Sequence, residues 1–251
     1  MSELKALIFD VDGTLADTEK DGHRVAFNLA FADAGLDWNW TVDIYADLLT
    51  VTGGKERIRY FLDKYQASMP DVDDVAGYIA DLHKAKTAHY TALLGKGKIP
   101  LRPGVEGLLQ EARSQGIRLA IATTTTPENV TALLENTLGR ESIDWFEVIA
   151  AGDIVPAKKP APDIYLWALE KMQLSPQEVI AFEDSENGLI SVRDANIEKV
   201  VITINDYTRD HDFSGATVVL DQFGDASHPA KVLAGKALNA SFVTLDYVTS
   251  L

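Results

Sequence analysis

Two aspartates close to the amino end carry the clearest chemical potential in the chain. Asp10 and Asp12 follow the apolar run 7–9 and are two residues apart. In an extended chain, residues at this spacing point to the same side. Two carboxylates so close resist being ionised together, so without a cation one should hold its proton at neutral pH. The pair could therefore supply one nucleophile and one proton donor, although an ordinary Asp-Gly turn after a strand is the alternative.

Two later segments carry groups that can bind a phosphate. Thr123 begins a run of four threonines, and its hydroxyl is free to bind a phosphate oxygen if Thr126 caps the following helix. Lys159 lies just before a helix start at Pro162, where the helix dipole would add to the attraction of the lysine for an anion. A solvated loop lysine is the alternative for Lys159.

A second acidic pair, Glu183 and Asp184, follows another apolar run and precedes a helix signal. Asp184 or Ser185 could simply be the N-cap of that helix. If this pair meets Asp10 and Asp12, three or four carboxylates would surround one point. Such a cluster needs a hard divalent cation, and an all-oxygen site completed by water and a phosphate suits Mg²⁺.

Each of these groups follows an apolar run of the kind that forms a strand buried on both faces. The strand candidates are 7–9, 117–122, 146–150, 179–182, 200–203 and 217–220. Helix signals that open at Pro127 and Pro162 alternate with these strands, so we predict a parallel α/β sheet. Ligands of such sheets bind at the carboxyl ends of the strands, where the acids, the threonine and the lysine would meet.

The segment between the first two strand candidates has a different character. From about residue 19 to residue 94 its apolar side chains repeat at spacings of three and four, which is typical of helices. We therefore predict a helical cap of residues 19–95 inserted into an α/β core of residues 1–18 and 96–251. The basic stretch 95–98 would be a hinge, and the weakly patterned tail after Leu220 has no predicted role.

The predicted cap contains a local positive patch. Gly53 and Gly54 offer backbone N–H groups at the start of a helix, and Lys55 and Arg57 follow, in a chain whose net charge is −15. This patch predicts a second anion site, which would suit a substrate with two phosphates. A balance of surface charge along the helix is the alternative.

Composition excludes several classes of protein. The 251 residues carry 23 Lys and Arg against 38 Asp and Glu, an acidic balance that argues against nucleic-acid or anionic-membrane partners. The absence of Cys excludes disulfides, thiolate metal sites and cysteine nucleophiles. No apolar run approaches the about 18 residues of a membrane span, and the run 6–9 is too short for the apolar part of a signal sequence, so we expect neither. We therefore expect a cytoplasmic protein, and we expect it to be a monomer.

The order and spacing of these groups resemble those of a known superfamily. Asp10-Val11-Asp12-Gly13-Thr14, Thr123, Lys159 and Glu183-Asp184 are similar to the four motifs of the haloacid dehalogenase superfamily of Mg²⁺-dependent aspartyl-phosphate phosphotransferases. Within it the chain resembles the β-phosphoglucomutase and phosphatase branch. It is most similar to the CbbY-type sugar-bisphosphate phosphatases of the Calvin cycle, through segments 21–24, 52–57, 101–105 and 207–216. The resemblance implies a Rossmann-like parallel sheet core with an inserted α-helical cap.

The same resemblance implies roles for the core residues. Asp10 would attack phosphorus to form an aspartyl-phosphate, and Asp12 would protonate the leaving sugar oxygen and then activate water. Thr123 and Lys159 would bind the remaining phosphate oxygens. Mg²⁺ would be held by Asp10, the backbone carbonyl of Asp12, Asp184 and Glu183.

The implied substrate is xylulose-1,5-bisphosphate, bound partly by the cap. Glu19 and His23 would face the sugar hydroxyls. The other substrate-binding residues would be Gly53, Gly54, Lys55, Arg57 and Thr124.

Two other functions stay open from the sequence. A phosphomutase would use the same core but return the phosphoryl group to a sugar, and Thr14 favours the phosphatase. A catalytically silent phosphosugar-binding protein is disfavoured because no core motif residue is missing. The motifs G-x-S-x-G, H-E-x-x-H and Walker A do not occur, so serine hydrolases, zincins and P-loop ATPases lack support.

Overall fold

A sheet of seven strands lies at the centre of the structure, a computed structural model that describes residues 3–97 and 99–251. Met1, Ser2 and Lys98, which the predicted domains and hinge include, lie outside the described residues. The strands are β1 Ala6–Phe9, β2 Arg118–Thr123, β3 Phe146–Ala151, β4 Val179–Glu183, β5 Val200–Thr203, β6 Val218–Leu220 and β7 Val232–Gly235. Their spatial order is β3-β2-β1-β4-β5-β6-β7, and only the β6–β7 pair is antiparallel. The predicted parallel α/β sheet is confirmed, and β7 adds a strand in the tail where none was predicted.

The central strands are buried because helices cover both faces of the sheet. In β1, Leu7 and Phe9 pack into one apolar cluster, and Ala6 and Ile8 pack into another. Alternate side chains of a strand point to opposite faces, so a strand covered twice is apolar throughout. Phe9 lies beside residues of both β2 and β4 in the register, so the three strands end at the same edge of the sheet.

The chain between β1 and β2 is helical, as its apolar spacing predicts. A π-helical turn at Glu19–His23 runs directly into the first helix. The helices up to β2 are α1 Arg24–Asp33, α2 Val42–Leu48, α3 Gly54–Tyr65, α4 Val75–Leu94 and α5 Val105–Ser114. Residues 19–94, the helical insert, have an apolar cluster of their own around Phe27, Trp40 and Tyr45. A core separate from the sheet is what a cap domain needs, and its exact boundaries stay a prediction.

The remaining helices flank the sheet. They are α6 Pro127–Leu138, α7 Asp163–Met172, α8 Glu186–Asp194 and α9 Leu245–Thr249, with 3₁₀ turns at Arg140–Trp145 and Pro176–Glu178. Helix α6 begins at the predicted Pro127, and α7 begins one residue after the predicted Pro162. None of the helices in the described part of the chain is long and apolar enough to cross a bilayer.

Two predicted helix caps have different outcomes. Ser185 is the N-cap of α8, where its hydroxyl accepts a hydrogen bond from the backbone N–H of Gly188. Thr126 occupies the N-cap position of α6, but its hydroxyl has no hydrogen-bond partner in the described residues. The predicted cap bond is wrong because the N–H of Asn129 donates to the backbone carbonyl of Thr126 instead.

Candidate active site

Three acids from two neighbouring strands meet at the carboxyl edge of the sheet. Asp10 follows β1, Glu183 ends β4 and Asp184 comes next in the chain. All three are buried, and one oxygen of each lies within 4.8 Å of the others. The prediction that acids distant along the chain meet is confirmed for these three. Carboxylates at this separation repel one another unless a proton or a cation intervenes.

Lys159 lies among these acids. Its Nζ donates hydrogen bonds to Asp10 Oδ1 at 2.7 Å, to Glu183 Oε1 at 2.5 Å and to the carbonyl of Ala122 at 2.9 Å. Burial opposes the charge of the ammonium group, but the two carboxylates outweigh it and raise the pKa of Lys159. The lysine is therefore a fixed positive charge beside Asp10.

Asp12 turns away from the acid cluster. Its Oδ1 accepts hydrogen bonds from the hydroxyl of Thr18 at 2.5 Å and from His23 Nε2 at 2.8 Å. The cluster of the described acids thus contains three carboxylates and not four, because Thr18 and His23 already engage the carboxylate of Asp12. Asp12 would therefore contribute to a metal site through its backbone carbonyl and not through its carboxylate.

The two aspartates differ in their proton affinity. Burial raises the pKa of Asp10 to about 7, where Glu183 and Asp12 add to the rise and Lys159 opposes it. Burial also acts to raise the pKa of Asp12, but the bonds and charge of His23 and the bond from Thr18 outweigh it, so the pKa is lowered. Without a cation, Asp10 is therefore the member of the pair that binds a proton near neutral pH, and burial contributes more to this than the repulsion between the two aspartates on which the prediction rested.

His23 connects Asp12 to a buried lysine. Lys86 Nζ lies 2.7 Å from His23 Nδ1, and burial lowers the pKa of Lys86 to about 8. A lysine side chain donates here, so Nδ1 of His23 must accept and its ring proton lies on Nε2, which donates to Asp12. The ring of His23 is also stacked on Tyr90, at a centroid distance of 4.0 Å. Lys86 therefore orients His23, and His23 orients the carboxylate of Asp12.

A second polar cluster faces the acids from the helical insert. The hydroxyl of Tyr45 donates to the carboxylate of Glu19 and accepts from Arg57 Nη1 at 2.9 Å. Arg57 Nη1 also lies 3.9 Å from Glu19 Oε2. The guanidinium is nearly buried, and the pKa of Arg57 is raised because Tyr45, Glu19 and Asp12 outweigh the effect of burial. The insert therefore presents the guanidinium of Arg57 and the carboxylate of Glu19, and the hydroxyl of Tyr45 fixes the positions of both.

A cavity of about 270 Å³ lies between the insert and the acid cluster. A space of this size suits part or all of a small polar molecule. The predicted site residues that line it are Asp10, Asp12, Glu19, Arg57, Thr123, Thr124, Lys159, Glu183 and Asp184. It is also lined by four residues that had no predicted role, Asn187, Asn205, Tyr207 and His211.

Four predicted substrate-binding residues lie outside this cavity. His23, Gly53 and Gly54 line an adjoining space of about 40 Å³ beside the start of α3. Lys55 lines neither space, because its Nζ pairs with Asp153 Oδ2 at 2.5 Å, on the loop after β3. The structure therefore brings Arg57 of the positive patch to the cavity and places Lys55 at a contact between the insert and the core.

Three residues that had no predicted role support the site. Tyr165 donates to Glu183 Oε1 at 2.5 Å, and Asn205 donates to Asp184 Oδ2 at 2.7 Å. Lys86 is the third, and it had a detectable signal because it interrupts the apolar stripe of α4 between Leu82 and Tyr90. Tyr165 and Asn205 had no comparable signal, since their roles arise only when distant segments meet.

The acid cluster fits a divalent cation. Burial, followed by the charges of Asp10 and Glu183, raises the pKa of Asp184, a repulsion that a cation would remove. Glu183 Oε1 already accepts bonds from Lys159 and Tyr165, so Asp10 and Asp184 have more lone pairs to offer. Gly13 keeps the approach to Asp184 open, because a Cβ at position 13 would collide with Asp184 Oδ2.

One family model matches most of this chain. Residues 4–196 match the family model for haloacid dehalogenase-like hydrolases. Protein CbbY of Rhodobacter capsulatus is 52% identical over 214 residues, which are 85% of this chain and 91% of that relative. The crystal structure of CbbY from Rhodobacter sphaeroides in complex with phosphate has a TM-score of 0.83 and 46% identity, and the match covers 88% of this chain and 96% of that one.

A mutant of the same Rhodobacter sphaeroides protein was crystallised with xylulose-1,5-bisphosphate. It has the same TM-score of 0.83, at 45% identity over 88% of this chain and 96% of that one. The predicted resemblance and the predicted hydrolase class are therefore confirmed. With its family model matched over most of its length, the chain belongs to the haloacid dehalogenase-like hydrolases.

Proposed function

We propose that the chain is a Mg²⁺-dependent phosphatase of sugar phosphates, with xylulose-1,5-bisphosphate as its preferred substrate. The observation that carries this proposal is the position of Asp10, which lies between Lys159 and two further acids at the base of a cavity beneath the insert. The crystallised CbbY complexes with phosphate and with xylulose-1,5-bisphosphate support the choice of substrate.

The first chemical step belongs to Asp10. Its carboxylate attacks phosphorus while the bond from phosphorus to the sugar oxygen breaks, which leaves an aspartyl-phosphate. Lys159 and Thr123 hold the other phosphoryl oxygens during the transfer. When bound, Mg²⁺ neutralises charge on the transferring group, and Asp10, Asp184 and the backbone carbonyl of Asp12 would hold it beside Glu183.

Asp12 moves the proton in both halves of the reaction. It gives a proton to the leaving sugar oxygen, then takes one from the water that breaks the bond between phosphorus and Asp10. Its lowered pKa favours the second half, in which it acts as a base. For the first half, His23 can pass its Nε2 proton to Asp12 as Lys86 gives a proton to His23 Nδ1, so that His23 stays neutral and Lys86 is left as an uncharged amine.

The insert selects the substrate. With one phosphate at Asp10, the remaining cavity presents Arg57 and Glu19 to the rest of the molecule. A guanidinium suits a second phosphate, and a carboxylate accepts bonds from sugar hydroxyls. A cavity with these two groups therefore suits a sugar bisphosphate better than a sugar monophosphate.

A phosphate-release assay over pentulose and hexose mono- and bisphosphates, with and without Mg²⁺, tests the proposal. We expect release from xylulose-1,5-bisphosphate only with Mg²⁺, no turnover by Asp10→Asn, and normal turnover by the control Asp144→Asn, whose side chain is at the surface. Conversion of a hexose 1-phosphate to its 6-phosphate without free phosphate would instead identify a phosphomutase. Binding without any release would identify a silent phosphosugar-binding protein.

A further inference from the structure

The segment after β5 connects the acid cluster to the helical insert. Asn205 donates from Nδ2 to Asp184 Oδ2 at 2.7 Å, and its Oδ1 accepts from the backbone N–H of Tyr207 at 2.9 Å. The backbone N–H of Asn205 in turn donates to the hydroxyl of Thr208 at 3.0 Å. These bonds fix the turn, so the position of Tyr207 is set from the acid cluster.

Tyr207 reaches from this turn into the insert. Its ring lies edge-on to the ring of Tyr45, with centroids 6.0 Å apart and planes at 71°. It packs against the apolar cluster of the insert although it belongs to the sheet core, and it lines the main cavity. An edge-to-face pair of this kind fixes the orientation of both rings.

Tyr45 is the residue through which Tyr207 can influence the cavity. The hydroxyl of Tyr45 joins Glu19 to Arg57, the two groups that the insert presents to the substrate. The hydroxyl of Tyr207 itself is buried and finds no hydrogen-bond partner among residues 3–97 and 99–251. The contact of Tyr207 with Tyr45 is made by its ring.

We propose that Tyr207 is a positioning residue that sets substrate preference by holding Tyr45, and through it Glu19 and Arg57, over the acid cluster. The inference rests on the proposed function and adds a specificity element outside the insert. Substrates that reach the insert depend on this contact, whereas a phosphate ester that occupies only the acid cluster does not.

The test compares Tyr207→Ala with Tyr207→Phe on two substrates, with Mg²⁺ present. For xylulose-1,5-bisphosphate we expect Tyr207→Ala to lower kcat/KM by about tenfold, mostly through KM, because one aromatic contact is lost. For p-nitrophenyl phosphate we expect a change of less than about twofold. Tyr207→Phe keeps the ring and should match the wild type on both substrates. Thermal unfolding of each variant checks that the fold is kept.

A double-mutant cycle isolates the path through Tyr45. Tyr45→Phe removes the hydroxyl that joins Glu19 to Arg57, so adding Tyr207→Ala to it should cost little further on the bisphosphate. Additive losses would overturn the proposal, as would equal losses on both substrates or a Tyr207→Phe variant as weak as Tyr207→Ala.

The proposed function and the positioning role can fail separately. A wild type that releases phosphate from neither substrate contradicts the proposed function. An active wild type whose Tyr207→Ala variant is unchanged contradicts only the positioning role.

Discussion

Asp10 and Asp12 have the same side chain, and their neighbours give them different chemistry. Asp10 lies beside two other carboxylates and one lysine, an environment that fits a nucleophile held next to a cation. Asp12 lies beside a histidine and a hydroxyl, an environment that keeps its pKa low and its carboxylate oriented. Pairs of acids whose surroundings separate their pKa values are the usual basis for dividing catalytic roles.

Removal of the Lys86 charge should change the pH dependence of catalysis. Lys86 and His23 both act to lower the pKa of Asp12, so Lys86→Met should raise it. Asp12 then becomes a base only at higher pH, and the acid limb of the kcat/KM profile should move upward. Because Lys86 is the smallest of these influences on Asp12, we expect the acid limb of kcat/KM to move by less than about one pH unit.

The matched control for this prediction is Lys84→Met, on the same helix but exposed. Its pH profile should superimpose on that of the wild type. If the acid limb of Lys86→Met coincides with that of the control, then Lys86 does not tune Asp12.

At the scale of elements, the strands and the polar residues at their carboxyl ends could be predicted from the sequence. A strand buried on both faces leaves a continuous apolar run, and a polar residue after such a run marks the edge of the sheet. This is why Asp10, Thr123 and Glu183 could be assigned to one edge from the sequence. The insert was also predictable, because an apolar spacing of three and four identifies helices without tertiary information.

Other features depend on contacts that no local pattern reports. Lys55 carries the charge expected of an anion site, but the folded chain brings Asp153 to it. Strand β7 is short and mostly exposed, so it lacks the apolar run of the central strands. The pairing of Asn205 with Asp184 joins segments 21 residues apart, and spacing alone does not specify it.

Packing between α3 and α4 should make stability depend on pH through His83. Its imidazole lies against Gly54, and burial, followed by the charge of Lys86, lowers the pKa of His83 from 6.5 to about 3. Between these values the unfolded chain binds a proton that the folded chain does not, so the free energy of unfolding falls as the pH decreases through this window.

We expect His83→Gln to reduce this pH dependence. Between pH 7 and pH 5 the wild type should lose about 1 to 2 kcal/mol more than the variant, measured by urea unfolding. His228→Gln is the control, because His228 is exposed beside Asp225. Equal slopes for wild type and His83→Gln would show that His83 is not the group responsible.

At the scale of the whole molecule, polar contacts hold the insert against the core around the cavity. Lys158 lies 2.9 Å from Asp153 and 3.3 Å from Glu56, and Asp153 also pairs with Lys55. On another side, Asn187 of α8 donates to the insert at Thr50 and Thr52. The first two helical residues after Gly54 are thereby attached to the loop that leads to Lys159. These contacts therefore connect the insert to the segment that carries Lys159.

The pairing of Lys55 with Asp153 decides whether Lys55 acts on the substrate or on the contact between insert and core. Partly exposed ion pairs contribute about 0.2 to 1 kcal/mol. Lys55→Met and Asp153→Asn should therefore each raise KM for the bisphosphate by up to about fivefold. Added salt should reduce this difference in KM between variant and wild type. If Lys55 acts only through Asp153, the double variant should have the KM of Asp153→Asn alone, because Asp153 also pairs with Lys158 and its replacement removes both contacts. If Lys55 binds a phosphate, Lys55→Met will raise KM again in the Asp153→Asn background, which would restore the sequence-based assignment of Lys55.

Lys64→Met, which breaks the pair with Asp47 inside the insert, controls for loss of a surface charge and should leave KM unchanged.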